Sequence, residues 1–241
     1  MLAFNPKADI KLLKLDLSSL QSVRHFAKEL SQLESKVDIL INNAGVMACP
    51  EWQTEDGFEM QIGTNHLGHF LLTLHLLPLL KKSSSARVVT VSSILHCSGE
   101  INIENIHLRN GTYGALKAYS NSKLANVLFS RELAKRLNTT NINTYSLHPG
   151  VIHTDLQRHN KSGDKTDVGF MERHFFLTPF MGSQTTLYCA LDESLDNESG
   201  FYYDNCRRVD RMVTEARDDL MARKLWDLSC DLVKLEDHLK I

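Results

Sequence analysis

Apolar residues along the chain fall into short unbroken runs and longer helical stripes, and the two kinds alternate. Leu12, Leu13, Leu15 and Leu17 make Lys11 to Leu17 a first predicted strand, ending in Asp16-Leu17-Ser18-Ser19. Ser18 or Ser19 can cap the helix that follows, which carries Leu20, Val23, Phe26, Ala27 and Leu30 at helical spacing. Val37 to Ile41 is a short apolar run, as buried strands are, and Arg87 to Val91 and Ile142 to Leu147 read as further strands. Helices are predicted from Ile62 to Leu80, closed or kinked near Pro78, from Tyr119 through Leu137, from Gln184 to Leu191 and from Arg217 to Leu235. Gly200 to Tyr203 makes a further short strand. Alternation of this kind predicts an α/β protein with a mostly parallel sheet covered on both faces.

Composition narrows the class. With 241 residues and a formal net charge of −2, the chain suits one domain, with no basic footprint for nucleic acid. Five scattered cysteines lack a Cys-x-x-Cys pair and read as reduced thiols of a cytoplasmic protein. No run reaches the length of a membrane span, and the first residues do not resemble a signal peptide. The segment from Phe170 to Met181 is rich in large apolar groups and suits core, a lid over a lipophilic substrate, or a peripheral membrane contact.

Polar and turn residues collect at the carboxyl ends of the predicted strands, where open parallel sheets bind ligands. Asp16 ends the first strand, Asn43-Ala44-Gly45 follow the second, Ser92-Ser93 the third, and His148-Pro149-Gly150 the fourth. Tyr119 and Lys123 stand four residues apart, on one helix face. A fixed positive charge beside a phenol favours the phenolate, lowers its pKa and suits it to proton transfer with an alcohol or carbonyl oxygen. An ordinary surface Tyr and Lys is the competing reading. Asp16 also suits a helix cap, and Asn65 a buried structural amide. His66 and His69 lack acidic or cysteine neighbours and read as structural rather than metal-binding.

Taken together, Asn42-Asn43-Ala44-Gly45, Asn65-His66-Leu67-Gly68-His69-Phe70, Val91-Ser92-Ser93, Tyr119-x-x-x-Lys123 and His148-Pro149-Gly150 resemble the short-chain dehydrogenases/reductases in order and spacing. Ser122 to Asn126 and Leu225 to Cys230 are similar to the retinol dehydrogenase branch. The resemblance implies a single Rossmann-like, doubly wound domain over residues 1–241 and an NADP(H)-dependent oxidoreductase, with NAD the less favoured nucleotide. It implies Tyr119 as general acid/base, Lys123 as its partner and ribose ligand, Ser93 as the hydrogen-bond donor to the substrate oxygen, and Asn65 as the holder of a relay water. On the cofactor side it implies Asp16 at the adenine, Asn43, Ala44 and Gly45 along the adenosine, and Pro149, Gly150 and Thr154 at the nicotinamide, with no metal. The implied substrate is a lipophilic alcohol/carbonyl pair such as retinol/retinal, and a homodimer is compatible with the family.

The family's opening strand-helix-strand-helix portion, with its Thr-Gly-x-x-x-Gly-x-Gly turn, has no counterpart here, so the domain is expected to be N-terminally truncated. The missing strands are expected to leave a gap in the sheet, from which the Lys11 to Leu17 strand either collapses onto its neighbour or detaches. A complete version would place the activity at the endoplasmic reticulum membrane face. The alternative is a catalytically inactive relative that serves as a binding or interaction module.

Overall fold

The computed structural model describes residues 7–152, 156 and 177–241. Thr154 and Phe170, Met171, Phe175 and Phe176 lie outside the described residues.

Among the described residues five strands form one sheet: β1 (Ile39–Asn42), β2 (Ala86–Val91), β3 (Ile142–His148), β4 (Phe201–Asp204) and β5 (Arg207–Arg208). They lie in sequence order, parallel from β1 to β4, with β5 antiparallel at the far edge. This is the parallel-dominated, helix-flanked sheet of a Rossmann-like fold. β2 is buried at every position and β3 at six of seven, polar residues such as Thr90, Thr144 and Ser146 included.

The helices are α1 (Leu20–Leu33), α2 (Met60–Ile62), α3 (Gly68–Leu80), α4 (Ala115–Arg136), α5 (Pro179–Gly182), α6 (Gln184–Leu191) and α7 (Asp219–Leu232). Ser19 caps α1 by accepting from the Ser22 amide. A π-helical stretch, Gly63–Leu67, joins α2 to α3, with the Gly68 amide donating to the Gly63 carbonyl. Pro78 lies within α3 and does not end it; helix continues to Leu80. One sheet face packs on α1, α3, α4 and α7, where Phe70, Phe129 and Trp226 form an aromatic cluster with centroids 5.0–6.0 Å apart. The opposite face packs Val89, Tyr145 and Leu147 against Cys189 and Ala190 of α6.

The N-terminal strand expected at Lys11 to Leu17 does not form. The segment takes no place in the sheet, and Leu12 is 96% exposed. A strand needs a neighbouring backbone to satisfy its amides and carbonyls, and β1 is hydrogen-bonded, among the described strands, to β2 alone. Of the two expected fates, collapse onto β1 is therefore excluded. The segment instead docks at its far end, where the Leu17 carbonyl lies so close to Gly68 that a Cβ there would stand 2.4 Å from it. β1 is left as a sheet edge. Register puts Ile39 and Ile41 on the α6 face, opposite Arg87 and Val89, yet they remain 38% and 40% exposed.

Candidate active site

A cavity of about 720 Å³ opens at the carboxyl ends of β1, β2 and β3. Asn43, Ala44, Gly45, Ser93, Tyr119, Lys123, Pro149 and Gly150 all line it. Its apolar wall comes from Ile41, Val91, Ile152, Leu156 and Leu187.

Each polar group is held from behind. Ser93 leaves β2 in an extended conformation and caps the 3-10 turn Ile94–Ser98, its Oγ accepting from the Leu95 amide at 3.2 Å. The Tyr119 phenol is within reach of the Ser93 hydroxyl, whose hydrogen bond favours the phenolate. Burial outweighs it and holds the Tyr119 pKa above the ordinary phenol value. The expected lowering by Lys123 is thus not what the structure shows. The Lys123 Nζ stands over the Tyr119 ring, 5.5 Å from its centroid, and donates to the Val91 carbonyl at 3.2 Å. Burial lowers the lysine itself to about 8. Ser92 secures the backbone beneath it, its Oγ donating to the Lys123 carbonyl at 2.7 Å.

Asn65 sits in the π stretch and is completely buried. Its Oδ1 accepts from the Val46 amide at 2.8 Å, and its Nδ2 donates to the Val46 carbonyl and to Ser122 Oγ, both at 2.9 Å. The amide therefore clasps the loop after β1 to the helix bearing Tyr119. Its backbone carbonyl accepts from His69 Nδ1 at 3.0 Å. The clasp explains Gly45: a Cβ there would lie 2.9 Å from Asn65 Oδ1. Gly150 has φ +89°, and a Cβ would meet Leu177 Cδ1 at 2.3 Å, so glycine is required on both counts.

Asp16 lies away from this wall. It is exposed, and its Oδ1 accepts from the Ser18 amide and hydroxyl at 2.9 and 2.7 Å, a local turn contact ahead of Ser19, the residue that caps α1. His66 pairs with Ser229 Oγ at 2.9 Å, and burial lowers its pKa to about 3 and that of His69 to about 4. Among the described residues no three His, Cys, Asp or Glu side chains could hold a metal ion. Sequence reasoning passed over Ser122, which also donates to the Tyr119 carbonyl at 2.7 Å, and gave His148 no role although it lines the cavity. The missed signal was polarity at positions that the helix and strand periods place inside.

The chain matches the model of the short chain dehydrogenase family over residues 3–165, and it belongs to that family, in the retinol dehydrogenase-like branch. It is 49% identical over 218 residues to retinol dehydrogenase 14 of Mus musculus, an alignment covering 90% of this chain and 65% of that protein. The chain thus spans just under two thirds of that relative's length. A crystal structure from Mycobacterium paratuberculosis is similar with a TM-score of 0.75 at 38% identity, covering 97% of this chain and 79% of the other. The NADP active-site complex of Pseudomonas aeruginosa RhlG is similar with a TM-score of 0.62 at 25% identity, covering 83% and 77%.

Proposed function

We propose that the protein to which this chain belongs is an NADP(H)-dependent oxidoreductase that interconverts a lipophilic alcohol and its carbonyl, retinol and retinal being the best-fitting pair. The single observation behind this reading is that Ser93, Tyr119 and Lys123 line one cavity together. When bound, the nicotinamide supplies the hydride; the protein orients it and handles the proton. Asn43, Ala44, Gly45, Pro149 and Gly150 line the same cavity and would face the nucleotide there. Support for NADP over NAD comes from the bound nucleotide of the RhlG complex.

In the reducing direction Ser93 Oγ and the Tyr119 hydroxyl donate to the substrate carbonyl oxygen as negative charge gathers there. Burial keeps Tyr119 protonated at neutral pH, the state a general acid requires. Lys123, near the ring, stabilises the phenolate once the proton has moved. The aliphatic cavity wall suits a lipophilic substrate. Phe180, 76% exposed, together with Met181 and Leu191, supports peripheral contact with a membrane that carries it. Among the described residues no helix is long and apolar enough to cross a membrane.

The test is NADPH oxidation with retinal against a panel of small hydrophilic aldehydes. Tyr119→Phe is expected to cost kcat a factor of roughly 10²–10⁴ without loss of fold. A Tyr119→Phe protein that keeps most of its activity would overturn the acid/base role, and preference for hydrophilic aldehydes would overturn the lipophilic reading. A second reading, a non-catalytic binding module, draws support from the open edge at β1, a ready template for another chain's strand. No heat of NADPH binding in a titration, with intact fold, would favour it.

A further inference from the structure

The sheet face beneath α4 is polar at its centre. β2 and the residue after it place Thr90 and Ser92 there and β3 places Thr144, Ser146 and His148, with Thr90 paired in register to Ser146. Opposite them α4 sets Lys123, Asn126 and Ser130 at i, i+3 and i+7, one helix face. The two ends of this seam are closed. Ser92 bonds the Lys123 carbonyl, and Thr144 Oγ1 donates to the Ser130 carbonyl at 2.7 Å. Between them, Thr90 Oγ1, Ser146 Oγ and Asn126 Oδ1 are buried and have no partner. Their residues are 0%, 1% and 1% exposed.

Three orphaned polar atoms on one small patch call for a shared ligand, because buried polar groups without partners are costly and rare. Paired residues on neighbouring strands stand about 4.8 Å apart, a gap one water spans with two ordinary hydrogen bonds. Two hydroxyls can donate to a water, and that water can donate to the amide oxygen, which only accepts. Three bonds is the usual number for a buried water. The other end of the same amide matters to the candidate active site: Asn126 Nδ2 donates to the Val91 carbonyl at 3.1 Å, the atom that Lys123 Nζ also binds.

We propose that Thr90, Ser146 and Asn126 bind a buried water molecule that locks the Asn126 amide onto the Val91 carbonyl, making Asn126 a positioning residue for Lys123. The site is distinct from the relay water expected at Asn65, whose side chain is engaged by Val46 and Ser122.

The test needs no cofactor, so its outcome is independent of the proposed oxidoreductase activity. Long-lived internal waters are counted by water-oxygen magnetic relaxation dispersion in the unaltered chain and in the near-isosteric Thr90→Val/Ser146→Ala variant. The Lys123 titration is followed by side-chain nitrogen NMR in both. The variant is expected to hold one long-lived water fewer and to move the Lys123 midpoint by about half a pH unit or more. An unchanged water count overturns the site, whatever the melting temperature does. Loss of the water with an unmoved Lys123 midpoint overturns the positioning role. If the double variant does not fold, Ser146→Ala alone and a high-resolution crystal of the unaltered protein decide: solvent density in reach of all three atoms supports the proposal, and its absence refutes it.

Discussion

The two ends of the candidate site are built differently. At the Ser93–Tyr119–Lys123 end every group is buried: Ser93 follows β2, a strand with neighbours on both sides, and Tyr119 and Lys123 stand on α4, with Lys123 held by the Val91 carbonyl. At the β1 end, Asn43 and Ala44 are exposed, Asp16 is exposed and bonded to Ser18, and the strand beneath is an edge. Proton-handling geometry therefore rests on the sheet's centre and on α4, whereas the nucleotide-facing wall hangs on β1 and is joined to the rest chiefly by the Asn65 amide. A constellation can be rigid while the surface next to it is only half supported.

Four changes would break or sharpen this contrast. The largest effect is expected from Phe70→Ala, which empties the ring position between Phe129 and Trp226 behind the braced end; it should cost about 3–5 kcal/mol by denaturant unfolding. Next comes acid. His66 and His69 are held neutral by burial, down to about 3 and about 4, whereas the unfolded chain protonates them near 6.5. Stability should be full above that value and fall as pH drops towards 4, by up to about 1.4 kcal/mol per pH unit for each histidine. Melts across that range would show it, and substituting His66 should flatten the slope.

Asn65→Leu removes the clasp and leaves the Val46 amide and carbonyl unpaired, so a loss of about 2–3 kcal/mol is expected. Exchange protection should drop first in the loop after β1, with β2 and β3 following only at global unfolding. If all three lose protection together, the two ends are not separable. The smallest effect on stability belongs to Ile39→Thr/Ile41→Thr, within about 0.5 kcal/mol, because both side chains are already partly in water. Its readout is self-association by sedimentation, which should decrease as the edge becomes less apolar.

The central strands and long helices were legible because their patterns have one physical cause each. Val88, Val89 and Val91 of β2 and Ile142, Tyr145 and Leu147 of β3 are buried because both sheet faces are covered, and Gln184–Leu191 forms the helix its pattern predicts. Lys11 to Leu17 has an equally strand-like pattern and fails, because strand pairing is a property of neighbours rather than of the segment. The two-residue β5 and the π stretch left no trace, since neither is long enough to impose a period. Candidate site residues could be named from their types and order, but their electrostatics could not. The sequence brings Lys123 near Tyr119; only packing shows the ammonium turned to the Val91 carbonyl and the phenol governed by burial.

The π stretch carries a kinetic consequence. Its wider turn relaxes hydrogen bonding in the middle of a helix whose side chains are almost entirely enclosed, from Gln61 to Leu80. The 21 residues from Met60 to Leu80 should therefore behave as two cooperative units meeting at Gly63–Leu67, with the C-terminal unit tied to the aromatic core and the N-terminal one free to open alone. Asn65 sits at that seam, so the residue that clasps the loop after β1 is also the point from which that loop would be released.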